Sequence, residues 1–144
     1  MLDCNQDVRT TYLTALNNNI SYNGVNVPIY GQTPFETTPQ NYVVIGNIVE
    51  TPDNNNQRFN NNVDVTIDIF SEQYRTNDLS IVDNISNQIL NIMISNTSIP
   101  VFQTANFQIF PKERTLSNYS SLQKGDNYIA RKIIIINNLV NQIS

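Results

Sequence analysis

Residues 51–70 read TPDNNNQRFNNNVDVTIDIF. Two Asn triplets, Asn54, Asn55, Asn56 and Asn60, Asn61, Asn62, bracket Gln57, Arg58 and Phe59, and a strict alternation follows at once. Val63, Val65, Ile67 and Ile69 share one face of that run, Asp64, Thr66 and Asp68 the other, and Phe70 closes it on the polar side. Apolar residues at period two are the signature of a half-buried strand. Just upstream, YVVIGNIVE at residues 42–50 opens as a buried strand. The Asn-rich stretch is therefore either a linker between two domains or the tip of one hairpin. A linker would leave each side to build its own core, and neither half holds enough strands to cover a helix. A hairpin satisfies both halves, and Thr51-Pro52-Asp53 and the Asn triplets tolerate turn and left-handed geometry. The hairpin reading makes residues 1–144 a single domain.

Working outward, residues 7–18 place Val8, Tyr12, Ala15 and Leu16 at helical spacing, with Asn5 or Asp7 available as the cap and Asn17–Asn19 as the stop. Asn23-Gly24 between Tyr22 and Val25 predicts a tight hairpin with a type I′ turn. Pro28 removes a ladder donor and so puts the strand that follows at a sheet edge or ends it irregularly. Pro34 and Pro39 mark a loop. Residues 76–95 carry Leu79, Val82, Ile85, Ile89, Ile92 and Met93 at spacings of three and four, which predicts an amphipathic helix of five turns capped by Thr76 or Asn77. A strand is expected around Phe107 and Ile109, a polar loop over residues 116–127, and a long β-branched strand over residues 128–139. The expected fold is α+β: a mainly antiparallel sheet with a long β-hairpin, packed against two helices.

The chain has 144 residues, 40% of them hydrophobic and only 14% charged, which suits one core of ordinary size under a sparsely charged surface. Asn fills the gap, with 25 copies beside 19 of Ile, as the codons of an AT-rich genome would favour. A surface rich in Asn is neutral and hydrogen-bonding, so it meets a partner without a large desolvation cost. The formal charge of −4 and pI near 4.5 argue against general nucleic-acid binding, which requires a basic patch. The adjacent cations Arg131 and Lys132 would be split between two faces by strand alternation. The lone cysteine, Cys4, excludes an internal disulfide framework and points to a reducing compartment. The N-terminus MLDCNQDVR lacks the regions of a signal peptide, and no apolar run reaches membrane-spanning length, so no membrane partner is expected.

No recognisable catalytic chemistry is present. The chain has no His, which removes the usual general base, the nucleophilic triads built on it and the commonest zinc ligand. Cys4 stands alone, and the four Gly residues form no phosphate-cradling loop. Asp64 and Asp68 share a strand face, but a rise of ~3.3 Å per residue sets them about 13 Å apart, too far to act on one metal or one bond. The DNNN at Asp53–Asn56 lacks the Gly and the terminal Glu of a calcium loop. No catalytic, cofactor-binding or metal-ligating residue is expected, and the chain does not read as an enzyme.

The order of elements, together with Val27-Pro28-Ile29-Tyr30, Asn41-Tyr42-Val43-Val44-Ile45-Gly46 and Val65-Thr66-Ile67-Asp68-Ile69-Phe70-Ser71, resembles the tail terminator, or tail-completion, family of tailed bacteriophages over most of the chain. The helix over residues 78–94 and the strand over residues 129–136 complete the likeness, which rests on pattern and order and includes no catalytic motif. It implies a virion protein, assembled in the bacterial host cytoplasm, that forms a ring at the head–tail junction. Such a ring caps the tail tube, offers a surface to head-connector or portal proteins, and lets DNA pass without sequence-specific binding. A hexamer is the form implied. A twelve-copy connector ring below the portal of a short-tailed phage, or a non-viral binding or adaptor domain, would share the same plan. Ring closure needs a heterologous interface. The candidates for an interface or channel lining are the tip residues Asn54, Asn55, Asn56, Gln57, Arg58, Phe59, Asn60, Asn61 and Asn62, and Ile133 and Ile135 on a strand expected to expose its edge.

Overall fold

The alternation at residues 63–70 turns out to be the middle of a longer strand. In the computed structural model, which describes residues 3–32, 34, 39–52, 60–94 and 102–143, strand β5 runs over Asn60–Tyr74. Its odd-numbered residues from Asn61 to Gln73 are buried and its even-numbered ones half-exposed. Strand β4, Asn41–Pro52, pairs antiparallel with it from Asn41 opposite Ser71 to Pro52 opposite Asn61. The Asn-rich stretch therefore joins the two strands of one hairpin, while residues 53–59 at its tip lie outside the described residues. Asn60, Asn61 and Asn62 belong to the strand, where Asn61 is buried with its amide donating to the Glu50 carboxylate.

The other side of β5 is taken by β8, Asn127–Gln142, which pairs along its full length first with β5 and then with β7, Phe107–Lys124. A two-residue β6, Phe102–Gln103, and a two-residue β3, Ile29–Tyr30, stand at the ends, giving the order β3-β4-β5-β8-β7-β6. Only β3 is parallel to its neighbour among the described residues. The ribbon β1 (Ser21–Tyr22) and β2 (Val25–Asn26) stands apart. Its turn residues Asn23 and Gly24 both have positive φ, 50° and 77°, as a type I′ turn demands.

Two helices cover one face of the sheet. Helix α1, Asn5–Leu16, buries Val8, Tyr12 and Leu16; helix α2, Ser80–Met93, buries Ile81, Val82, Ile85, Ile89 and Met93. They close over Val63, Val65, Ile67 and Ile69 of β5 and Ile134, Ile136 and Val140 of β8. Each such side chain contributes about 1.5–3 kcal/mol on burial. Tyr12 carries its hydroxyl into this layer, where it donates to Asn138 Oδ1 at 2.6 Å, and the Asn138 amide donates to the carbonyls of Val63 and Ile136.

The helix ends differ from expectation. Asn5 and Asp7 lie inside α1, and Asp3 Oδ1 accepts from the Asn5 backbone N–H instead. Helix α2 starts at Ser80, not Thr76, because the Gln73 side chain holds Asp78 on both its N–H and its C=O and keeps that segment out of helical geometry. Asp78 Oδ1, rather than Thr76 or Asn77, receives the Ser80 N–H. The larger correction concerns residues 116–127, expected as a loop. They form the far half of β7 and its turn into β8. That turn has Gly125 at φ 61°, the first central position of a type II′ hairpin.

Candidate functional site: an open strand edge

A strand that pairs on one side only presents every second N–H and C=O to solvent. β6 covers β7 only at Ile109 and Gln108, so beyond them the outer edge of β7 has no strand beside it among the described residues. Residues 112–126 are exposed throughout, on both faces as well as along the edge. The register with β8 slips between Pro111 and Glu113 and again between Arg114 and Leu116, after which residues 116–124 pair without interruption. Bulges and charges are the usual protection of an edge. Here Lys112, Glu113, Arg114 and both bulges sit before residue 116 and Lys124 sits after residue 123, while LSNYSSLQ between them carries no charge and no irregularity.

The inner face of this arm is tied to α2. Tyr119 donates its hydroxyl to Asp83 Oδ1 at 2.5 Å, and Lys132 Nζ donates to the same oxygen at 2.8 Å while lying 5.0 Å from the Tyr119 ring. Burial pushes the Asp83 carboxyl up, but the hydrogen bonds from Lys132 and Tyr119 and the Lys132 charge outweigh it and hold the carboxyl below its ordinary range. Asn77 donates to Ser121 Oγ at 2.9 Å. The opposite face carries Leu116 and Leu122, 42% and 63% exposed, beside the half-buried Ile129, Ile133 and Ile135 of β8.

Ile133 and Ile135 thus occupy a different place from the one expected. They lie on an interior strand, between Asp68 and Thr66 of β5 and Asn118 and Leu116 of β7, and contribute to the solvent face of the sheet rather than to an edge. The edge belongs to β7 because β8 is flanked on both sides. Along the same face Tyr30, Tyr42 and Phe70 form a row with centroids 6.0 and 4.8 Å apart, and Arg131 ends it, over the Phe70 ring and bonded to Asp68 at 2.9 Å. Lys132 points the other way, so alternation does split that pair. Of the tip candidates, Asn54, Asn55, Asn56, Gln57, Arg58 and Phe59 lie outside the described residues, and Asn61 is buried.

A second local irregularity shapes β4. Its register slips between Ile45 and Ile48, and Arg9 of α1 reaches the bend, donating to the carbonyls of Gly31, Ile45 and Gly46 at 3.0, 2.7 and 3.0 Å. The strand passes so close there that a Cβ on Gly46 would meet Thr66 O at 3.3 Å. A shallow hollow of about 400 Å³ opens beside it, lined by Arg9, Gln32, Thr66, Asp68 and Arg131 among others. Its two arginines are already engaged with backbone carbonyls and with Asp68.

Among the described residues no three His, Cys, Asp or Glu side chains gather as metal ligands. Cys4 is buried, and that burial, followed by the hydrogen bond to and charge of Glu50, pushes its thiol up to about 12. A thiol at that value is not a nucleophile near neutral pH. No helix among the described residues is long and apolar enough to cross a membrane. The arm escaped sequence reading because it has no buried face and hence no alternation, although Gly125-Asp126 is a hairpin dipeptide that could have exposed it. No protein-family model matches the chain, and no curated protein matches it in sequence.

Proposed function

We propose that the chain is a structural subunit of a ring at the head–tail junction of a tailed bacteriophage, of the tail terminator or tail-completion type. In this role it joins tail to head connector, leaves a channel for DNA and catalyses nothing. The observation that carries the reading is the order of elements: α1, the Pro-led β3, the long β4–β5 hairpin, the amphipathic α2 and the C-terminal β7–β8 pair follow one another as the resemblance arranges them. Two features support it. The β4–β5 hairpin closes through an Asn-rich segment, and β7 leaves a long edge open. The net charge of −4 lets DNA pass without being held. Arg58 and Phe59 at the tip are the residues proposed to touch a neighbouring subunit or line the channel.

Negative-stain microscopy and solution mass of the purified chain, alone and with tail tubes, test this reading. Rings with a central channel are expected, sixfold for a terminator and twelvefold for the connector-ring alternative. A chain that forms no ring under either condition, or tubes that gain no cap from it, would overturn the proposal in favour of a binding or adaptor domain. Removal of residues 54–59 is expected to leave folding intact and to weaken ring formation.

A further inference from the structure

The open edge of β7 is self-complementary, and we propose that it binds a second copy of itself: two free subunits join their sheets by antiparallel β7–β7 pairing about Tyr119. The proposal does not rest on the ring reading. A twofold contact is isologous, whereas ring closure uses a heterologous one.

The register fixes what would meet. Opposed residues in an antiparallel pair share a face, and a twofold axis normal to the sheet preserves faces, so the axis must pass through a residue opposite itself. With that residue Tyr119, Ser117 opposes Ser121, Asn118 opposes Ser120, and Leu116 opposes Leu122 twice over. Leu116 and Leu122 lie on the same solvent face, since they pair with Ile135 and Ile129 of β8. Past the second bulge the next solvent-face residue is Glu113, opposite Asn137; past Leu122 it is Lys124, opposite Asn127. Glu113 of each copy therefore faces Lys124 of the other. On the helix-side face Arg114, opposite Ile136, meets Gln123, opposite Tyr128.

Shifting the axis to Asn118 or Ser120 sets each Leu against a polar or charged residue and breaks the Glu–Lys match. Only the Tyr119 centre gives two apolar pairs and two opposite-charge pairs together. The same contact gives partners to the outward backbone groups of residues 116–123 and covers Leu116 and Leu122, two of the larger exposed apolar side chains. Glu113 and Lys124 form no ion pair among the described residues, so both are available. The result is one continuous sheet across two chains.

Sedimentation of the full chain over a dilution series reads the dimer directly. Glu113→Lys and Lys124→Glu, both at exposed positions, are each expected to weaken dimerisation by about tenfold by turning two attractions into repulsions. Combining them in one chain should restore it. For the register, Asn118→Cys and Ser120→Cys chains, each with Cys4→Ser, are mixed and oxidised. Opposed strand residues fall within disulfide reach, so a mixed 118–120 disulfide is expected in excess over either homodisulfide. Circular dichroism checks that every variant is folded. A wild-type chain that stays monomeric throughout, a double reversal no better than the singles, or a dimer that yields no excess of the mixed disulfide would each overturn the proposal.

Discussion

β8 and the far half of β7 are two sides of the same hairpin, yet they live in different solvents. Ile134, Ile136 and Val140 of β8 are wholly buried under the helices, while every residue of β7 from Lys112 onward is exposed. Their backbone ladders are equally continuous apart from two bulges. The difference shows that hydrophobic alternation records one-sided burial, not strand pairing. A strand held by a ladder, a type II′ turn and two polar anchors, Asn77 and α2's Asp83, needs no apolar face of its own.

The largest test of this contrast is truncation on either side. Ile67→Ala removes a fully buried side chain from the core and is expected to cost about 2–5 kcal/mol in urea unfolding. Leu122→Ala in the arm should move folding stability by no more than about 0.5 kcal/mol. If both lost similar stability, the arm would be part of the core. Tyr12→Phe leaves Asn138 Oδ1 buried without its donor, an expected loss of about 1–3 kcal/mol measured the same way.

Gly125→Ala tests the arm's own support. Its φ of 61° places a Cβ in the left-handed region, at a cost of about 1–2 kcal/mol. Hydrogen exchange should report this loss in residues 116–136 of the β7–β8 hairpin more than in β4. The smallest effect concerns pH. Asp83 has its folded value below the ordinary 3.8, so the stability it contributes is present above that pH and is lost as pH falls through the lower folded value. Acid unfolding of Asp83→Asn should lack this component, and tyrosine fluorescence with far-UV dichroism would follow it.

Most of the body was legible in the sequence. Val63 to Ile69 alternate because helices cover one side of them, Asn23-Gly24 needs positive φ, and Leu79 to Met93 repeat at helical spacing because they face the sheet. The start of α2 is not legible because the group that displaces it, Gln73, acts through space from a strand that reads as complete at Phe70. The sequence points to the strand of Ile133 and Ile135 for the open edge, since β-branched runs announce strands without announcing neighbours, and the neighbour here, residues 116–124, shows no period at all. The open edge therefore lies not on the most apolar strand but on one of the most polar.

The Arg9 clamp on β4 separates two kinds of change in this molecule. Residues 9, 31, 45 and 46 jointly set the bend, and none of them lies beyond it. Above the bend the ladder runs on from Ile48 opposite Val65 to Pro52 opposite Asn61, and Val63 and Asn61 there remain buried. A change at residues 9, 31, 45 or 46 therefore acts on the bend, whereas a change in the ladder above it acts on the packed layer. Curvature in this strand is held by a single guanidinium.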